Sequence, residues 1–270
     1  GSLLPTVGID RQIGGQKKCR LLFIAPTLFQ TASKAACTLF FIVRSPETEY
    51  SMPQTYFTAD WHFSHPNIAR YCPQFRLQSD NTNELNEYLI DCWNRVVTPQ
   101  DTVYNLGDVC FAKKPAHIEA VLQRLNGQHH LIYGNHDYLI RQNEAHFLNT
   151  RKADGHPLLS SASHYLRLKL PEIGNTAILC HYPLYEWDGI HHGLYHLYGH
   201  LHDRMAAVKG RALNVGWDMH GRFLTAQDID GFLRDLPAVQ YFDDKQNVIV
   251  GNSTEDAAAK VRARLAALNE

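Results

Sequence analysis

The chain has 270 residues, 44% of them hydrophobic, with 26 basic and 27 acidic side chains and a formal net charge of −1. That length and apolar content support one well-buried domain, and the balanced charge, with no Lys/Arg block, argues against a groove that tracks duplex nucleic acid. Six cysteines (Cys19, Cys37, Cys72, Cys92, Cys110 and Cys180) without a C-x-x-C pair argue against a disulfide scaffold. They fit a reducing, cytoplasmic setting.

Residues 1–51 differ from the rest. Gly1-Ser2 reads as the scar of a cleaved expression tag. Lys17-Lys18-Cys19-Arg20 followed by Leu21–Phe29 has the outline of a signal peptide. Pro26 and Lys34 interrupt that stretch, which falls short of the ~20 apolar residues of a membrane span. The segment reads as an extension without catalytic duty: an upstream-extended start ahead of Met52, a targeting segment, or an extra packed element.

From 52 to 254 the pattern predicts one α/β domain of alternating strands and helices. Thr55–Ala59 is an apolar, β-prone run. Asn83–Val97 predicts a helix with Leu85, Leu89, Cys92, Trp93 and Val96 on one face, ended by Pro99. Thr102–Leu106 predicts the next strand. Pro115–Leu125 predicts a helix with proline in its first turn and Asn126-Gly127 at its close. His130–Tyr133 predicts a strand, Tyr138–Leu148 a helix, and Asp154–Ser161 a loop. From His164 onward the signal is strand-rich, at Tyr165–Leu170, Thr176–Cys180, Tyr195–Tyr198 and Arg211–Val215. Ala226–Leu236 predicts a short helix, Gln246–Val250 a strand, and 255–270 an Ala/Arg-rich terminal helix.

Five short segments follow these strand-like runs and carry metal-ligand chemistry. They are Asp60-Trp61-His62, Gly107-Asp108, Gly134-Asn135-His136-Asp137, Cys180-His181 and Gly199-His200-Leu201-His202. Strand ends are where an α/β sheet presents side chains to a crevice. Hard oxygen donors mixed with imidazoles suit Mn, Fe, Zn or Ni. Seven such donors exceed one tetrahedral ion and match two that share a carboxylate. In Gly199–His202, strand-like alternation would put both imidazoles on one side.

The order of these segments resembles the calcineurin-like metallophosphoesterases, whose pattern is D-x-H, G-D, G-N-H-[DE], a lone His, and G-H-x-H. The resemblance runs from Tyr56 to about Asp218. Wording such as Tyr56–Asp60, His181–Leu184 and Leu213–Gly216 is similar to a compact prokaryotic and phage branch. The resemblance implies a two-sheet β-sandwich flanked by helices, and two divalent ions with Mn first in order. It assigns Asp60, His62 and His202 to one ion and Asn135, His181 and His200 to the other. Asp108 would bridge them, and His136 would be the general acid.

Other roles stay open at this level. Asp137 either orients His136 or caps the following helix. His65 reaches a substrate phosphate or begins the turn at Pro66-Asn67. Arg70 is either a phosphate clamp or a solvated helix position. His191, His192 and His196 are expected on the rim, and Trp61, Tyr182, Tyr185 and Trp187 are candidates for stacking a base. One departure bears on the substrate. Protein Ser/Thr phosphatases of the superfamily carry G-D-x-x-D-R-G, whereas Phe111 and Ala112 stand here in place of the acid and the arginine. Dianionic monoesters favour bidentate guanidinium partners. The expected reaction is therefore hydrolysis of a phosphodiester or nucleotide-like ester. A broad phosphomonoesterase is the alternative, followed by a non-catalytic scaffold. The expected partner is a small phosphoester or nucleotide, not a membrane.

Overall fold

The computed structural model describes residues 52–241 and 257–268. The expectations for residues 1–51 and for a strand at Gln246–Val250 lie outside the described residues. What is described belongs to one compact unit, Tyr50–Glu270.

The chain forms a mixed α/β structure with two four-stranded sheets flanked by helices. The first sheet contains β1 (Thr55–Thr58), β2 (Thr102–Asn105), β3 (Gln128–Ile132) and β4 (Ser161–Ser163), in that order. All its pairings are parallel. The crossovers carry α1 (Ile68–Tyr71), α2 (Thr82–Val96), α3 (Pro115–Leu122), α4 (Tyr138–Gln142) and α5 (Glu144–Asn149). The second sheet orders β5 (Leu166–Leu170), β6 (Asn175–Leu179), β7 (Tyr195–Tyr198) and β8 (Ala212–Asn214). There β5 and β6 form an antiparallel hairpin, and β6, β7 and β8 run parallel. The chain closes with α6 (Trp217–His220), α7 (Ala226–Leu233) and α8 (Ala257–Leu268).

Alternation along β1 shows how the layers are made. Tyr56 joins Val103, Leu131, Trp93, Ile118 and Leu122 in a core between the first sheet and its helices. Phe57 and Ala59 point the other way, into a second core with Leu106, Ile132, Leu179, Leu197 and Leu213. Side chains of both sheets thus meet in one cluster, closed at one end by Ile229 and Leu233 of α7. Beyond its last residue, β1 also bridges the layers: Ala59 pairs with Gly216, and Trp217 N–H donates to Ala59 O at 2.9 Å.

Several boundaries differ from expectation for local reasons. The single helix expected over Tyr138–Leu148 is two helices, because Asn143 leaves the helical region at φ −120° and ψ 30°. Its side-chain amide also donates to Leu139 O at 2.8 Å, ending α4. The loop expected at Asp154–Ser161 holds up to Ser160, and the unexpected β4 begins at its last residue, with small residues Ser161–Ser163 pairing with β3. The face expected for α2 holds at Leu85, Leu89 and Trp93, whereas Val96 is exposed. Among the described residues no helix is long and apolar enough to cross a membrane. The described cysteines, Cys72, Cys92, Cys110 and Cys180, are free thiols.

Candidate metal centre

The five donor segments all leave the carboxyl ends of parallel strands. β1 delivers Asp60 and His62, β2 Asp108, β3 Asn135, β6 His181, and β7 both His200 and His202. The two sheets open their strand ends toward the same crevice, as ligand sites in α/β sheets do.

The donors gather into two sets. Asp60, His62 and His202 bring one ligand atom each within 4.8 Å of one another, and so do Asp108, His181 and His200. Asn135 completes the second set, its Oδ1 lying 3.1 Å from His181 Nε2 and 3.0 Å from His200 Nδ1. Two donors bound at right angles about 2.1 Å from one ion would stand about 3 Å apart. Between the sets, Asp108 Oδ2 lies 3.6 Å from His62 Nε2 and 3.4 Å from His181 Nε2. Each set draws on both sheets.

Three observations fit this pocket to divalent cations. First, Asp60 Oδ2 and both ring nitrogens of His62 are buried without a hydrogen-bond partner. Orphaned polar atoms of this kind cost about 1–3 kcal/mol each unless something pairs them. Second, His181 donates its Nδ1–H to Leu106 O at 2.7 Å, which leaves the Nε2 lone pair facing the centre. Third, Asp60, His62, Asp108, His200 and His202 all have left-handed backbones, with φ between 49° and 68°. Among the described non-glycine residues only Ser64 shares that conformation. At roughly 1–2 kcal/mol per residue, the five cost on the order of 5–10 kcal/mol, which bound cations would offset.

Close packing explains the motif glycines. A Cβ on Gly134 would stand 2.1 Å from Asp108 Oδ1 and 2.5 Å from Asp108 N. One on Gly199 would stand 2.8 Å from Asp60 Oδ2.

The two carboxylates respond oppositely to their surroundings. Burial, with the charge of Asp108 adding to it, raises Asp60 to about 7. Burial also acts on Asp108, but the hydrogen bond and charge of His181, together with His62, hold it at about 2. Burial drives His62 well below the usual imidazole range. For His202 burial is outweighed by hydrogen bonding to Asp218, which brings it up to about 10.

Several expected roles change. Asp137 occupies the N-cap position of α4 but makes no side-chain cap hydrogen bond there. Its buried carboxylate accepts backbone N–H groups from Asp108 (2.8 Å), Val109 (2.9 Å) and Gly134 (2.8 Å), tying the second and third donor segments together. Arg70 does not reach the donors, because it is exposed and paired with Asp80. His65 begins the turn, its Nδ1 accepting Asn67 N–H at 3.1 Å, while its ring packs 4.3 Å from that of Phe111. His196 is a core residue, with Nε2 accepting Leu184 N–H and Nδ1 donating to Ile178 O. His191 and His192 are exposed, their rings 4.0 Å apart. Trp61 and Trp187 are buried and unable to stack a substrate, whereas Tyr182 and Tyr185 are exposed.

Two residues stand at this site without a sequence signal. Asp218 accepts His202 Nδ1–H at 2.7 Å, and Arg76 grips Asp218 through Nε and Nη2 at 2.6 and 2.9 Å. Arg76 also donates to Asp60 O (2.6 Å) and Trp61 O (2.8 Å).

Comparison with known proteins adds relatives without stated activities. No protein-family model matches the chain. Over 88 residues it is 42% identical to an uncharacterised protein of Methanocaldococcus jannaschii, a match covering 32% of this chain and 48% of that protein. The chain thus spans about half of that relative's length. It is 26% identical over 205 residues to the gene 66 protein of Mycobacterium phage L5, covering 66% of this chain and 93% of the phage protein. The crystal structure of a protein of unknown function from Aquifex aeolicus aligns with a TM-score of 0.48 at 18% identity, over 67% of this chain and all of that one.

Proposed function

We propose that the chain is a dinuclear metal-dependent phosphoesterase with the calcineurin-like metallophosphoesterase fold, acting on a phosphodiester or nucleotide-like ester. The observation that carries this reading is the position of Asp108 Oδ2, within 3.6 Å of ring nitrogens from both donor sets. Asp60, His62 and His202 would hold one ion and Asn135, His181 and His200 the other, with Asp108 shared. This hard, imidazole-containing donor set suits Mn²⁺, and Fe, Zn and Ni share it. When bound, such a pair supplies Lewis-acid polarisation of the phosphoryl group and activation of the attacking water.

The chain's own residues supply the rest. His136 anchors its backbone N–H on Asp108 Oδ1 at 2.8 Å, and its ring stands 5.4 Å from that of His62. A protonated imidazole there would donate its N–H proton to the leaving oxygen. Phe111 packs 4.9 Å from His136 and walls that side of the crevice. Charge supply favours a diester. Arg70 is spent on Asp80, Arg76 on Asp218 and two carbonyls. The second charge of a monoester gains a guanidinium from neither.

The test measures metal content and compares bis-nitrophenyl phosphate with nitrophenyl phosphate in the presence of Mn²⁺. Two ions per chain and a kcat/KM for the diester equal to or above that for the monoester are expected. A monoester preference above about tenfold, or ~1.4 kcal/mol, would overturn the diester assignment. Metal binding without hydrolysis of either ester would instead mark a non-catalytic scaffold.

A further inference from the structure

Arg76 is a buried cation whose hydrogen bonds all face the first donor set. The residue is 5% exposed, and its guanidinium makes four contacts: two with the Asp218 carboxylate and one each with the carbonyls of Asp60 and Trp61. Those carbonyls belong to the left-handed segment that presents Asp60 and His62. Asp218 in turn holds His202. One planar group therefore fixes all three donors of the first set, two through backbone and one through a carboxylate.

The same geometry contains a competitor. Cys72, His202 and Asp218 also bring ligand atoms within 4.8 Å of one another. Thiolate, imidazole and carboxylate together make a set that zinc and other softer ions take readily. A cavity of about 500 Å³, lined by Gln74, Asp203, Arg204, Met205 and Met219, reaches Asp218. His202 is common to both sets, and an ion bound through its Nδ1 would displace the Nδ1–H that Asp218 now holds, freeing the ring from the orientation the first set requires. A guanidinium already seated on Asp218 neutralises that carboxylate and occupies both of its oxygens.

We propose that Arg76 is a positioning residue that makes Asp218 an orienter of His202 rather than a metal ligand. It thereby keeps the first ion on Asp60, His62 and His202, and keeps the Cys72–His202–Asp218 position shut. This inference rests on the two-metal reading above. Removing the guanidinium leaves a buried carboxylate held by His202 alone, beside a thiol, an arrangement that attracts a cation in its place.

The experiment loads metal-stripped protein with Co²⁺ and records metal content and the thiolate-to-cobalt charge-transfer band in the near ultraviolet. Wild type should bind two ions without that band. Arg76→Met should weaken the first ion by about 10–100-fold, the usual effect of losing an outer partner of a ligand. It should also show the thiolate band, which should vanish in Arg76→Met/Cys72→Ser. Arg76→Lys, which keeps a cation on Asp218, should stay band-free. A folded Arg76→Met with wild-type affinity and no band would overturn the proposal, as would the band in wild type. If Arg76→Met does not fold, Asp218→Asn cuts the same link, and two tightly bound ions in that variant would overturn it equally. Wild type that binds no Co²⁺ would refute the two-metal reading itself, and this inference with it.

Discussion

Gly134→Ala is the smallest change that tests the bridging role proposed for Asp108. The added methyl would stand 2.1 Å from Asp108 Oδ1 and 2.5 Å from Asp108 N, where ordinary contact begins at 3.4 Å. The shortfall at the oxygen is 3.4 − 2.1 = 1.3 Å. Little can yield, because Oδ1 already accepts His136 N–H and the Asp108 N–H is held by Asp137. A displacement of about 1 Å at a reacting centre costs on the order of 10²-fold in turnover. Stability separates the clash from a benign change. Gly→Ala without strain adds about 0.4–1 kcal/mol by restricting the unfolded chain, whereas overpacking costs about 1–3 kcal/mol. A net loss of about 1–2 kcal/mol follows, or roughly 2–8 °C in Tm for a domain of this size. Calorimetry of metal-free protein, metal analysis and diester hydrolysis read the three consequences. A variant with raised Tm, two ions and turnover within threefold of wild type would refute the placement of Asp108.

Other expected outcomes follow from single contacts. His136→Ala should cost about 10²–10⁴ in turnover with metal content intact, and less for nitrophenol esters, whose leaving group needs little protonation. Equal losses across good and poor leaving groups would rule out the acid role. Asp137→Asn puts an amide against backbone N–H groups that now donate to a carboxylate, so it should cost about 2–4 kcal/mol in metal-free unfolding; an unchanged Tm would exclude Asp137 as the tie between the donor segments. His129, His196 and His220 are held by burial near 3, 4 and 4, below the ordinary 6.5, and at His129 the nearby Lys152 adds to the effect. As pH falls below 6.5 the unfolded chain takes up protons that the folded chain refuses, so each lowers stability by up to about 1.4 kcal/mol per pH unit. His129→Leu should flatten the stability slope between pH 6 and 4 by about one proton relative to wild type. An identical slope would show that His129 protonates freely in the fold.

The clustering of the candidate donors was legible because each follows an apolar run, and a parallel strand delivers whatever follows it to one sheet end. The strand alternation expected of Gly199–His202 does not hold: β7 ends at Tyr198, and His200 and His202 turn through left-handed backbones into different donor sets. Arg76 escaped the sequence reading, because its carboxylate partner lies 142 residues away and no periodic pattern surrounds it. Arg70, nearer the first motif in sequence, drew attention that belonged to Arg76. Aromatic character misled at Trp61, whose ring lies under the site against Trp217 and Trp93. A tryptophan beside a ligand reads the same whether it faces solvent or core. His196 misled likewise: expected on the rim, it lies inside β7, and its contacts with Ile178 and Leu184 leave no trace in the sequence. The break at Asn143 depends on a side chain competing for its own helix, which periodicity does not register.

That each ion would draw ligands from both sheets has a mechanical meaning. Sliding one layer over the other by a single residue would separate His202 from Asp60 and His181 from Asp108 together. Two cations would then act as rivets through the sandwich. At a hundred times its dissociation constant, each would add about 2.7 kcal/mol to the folded state. That resistance to shear would be concentrated at the strand ends, where irregular backbone is otherwise least constrained, so the segments bearing the ligands would stiffen most as the ions bind.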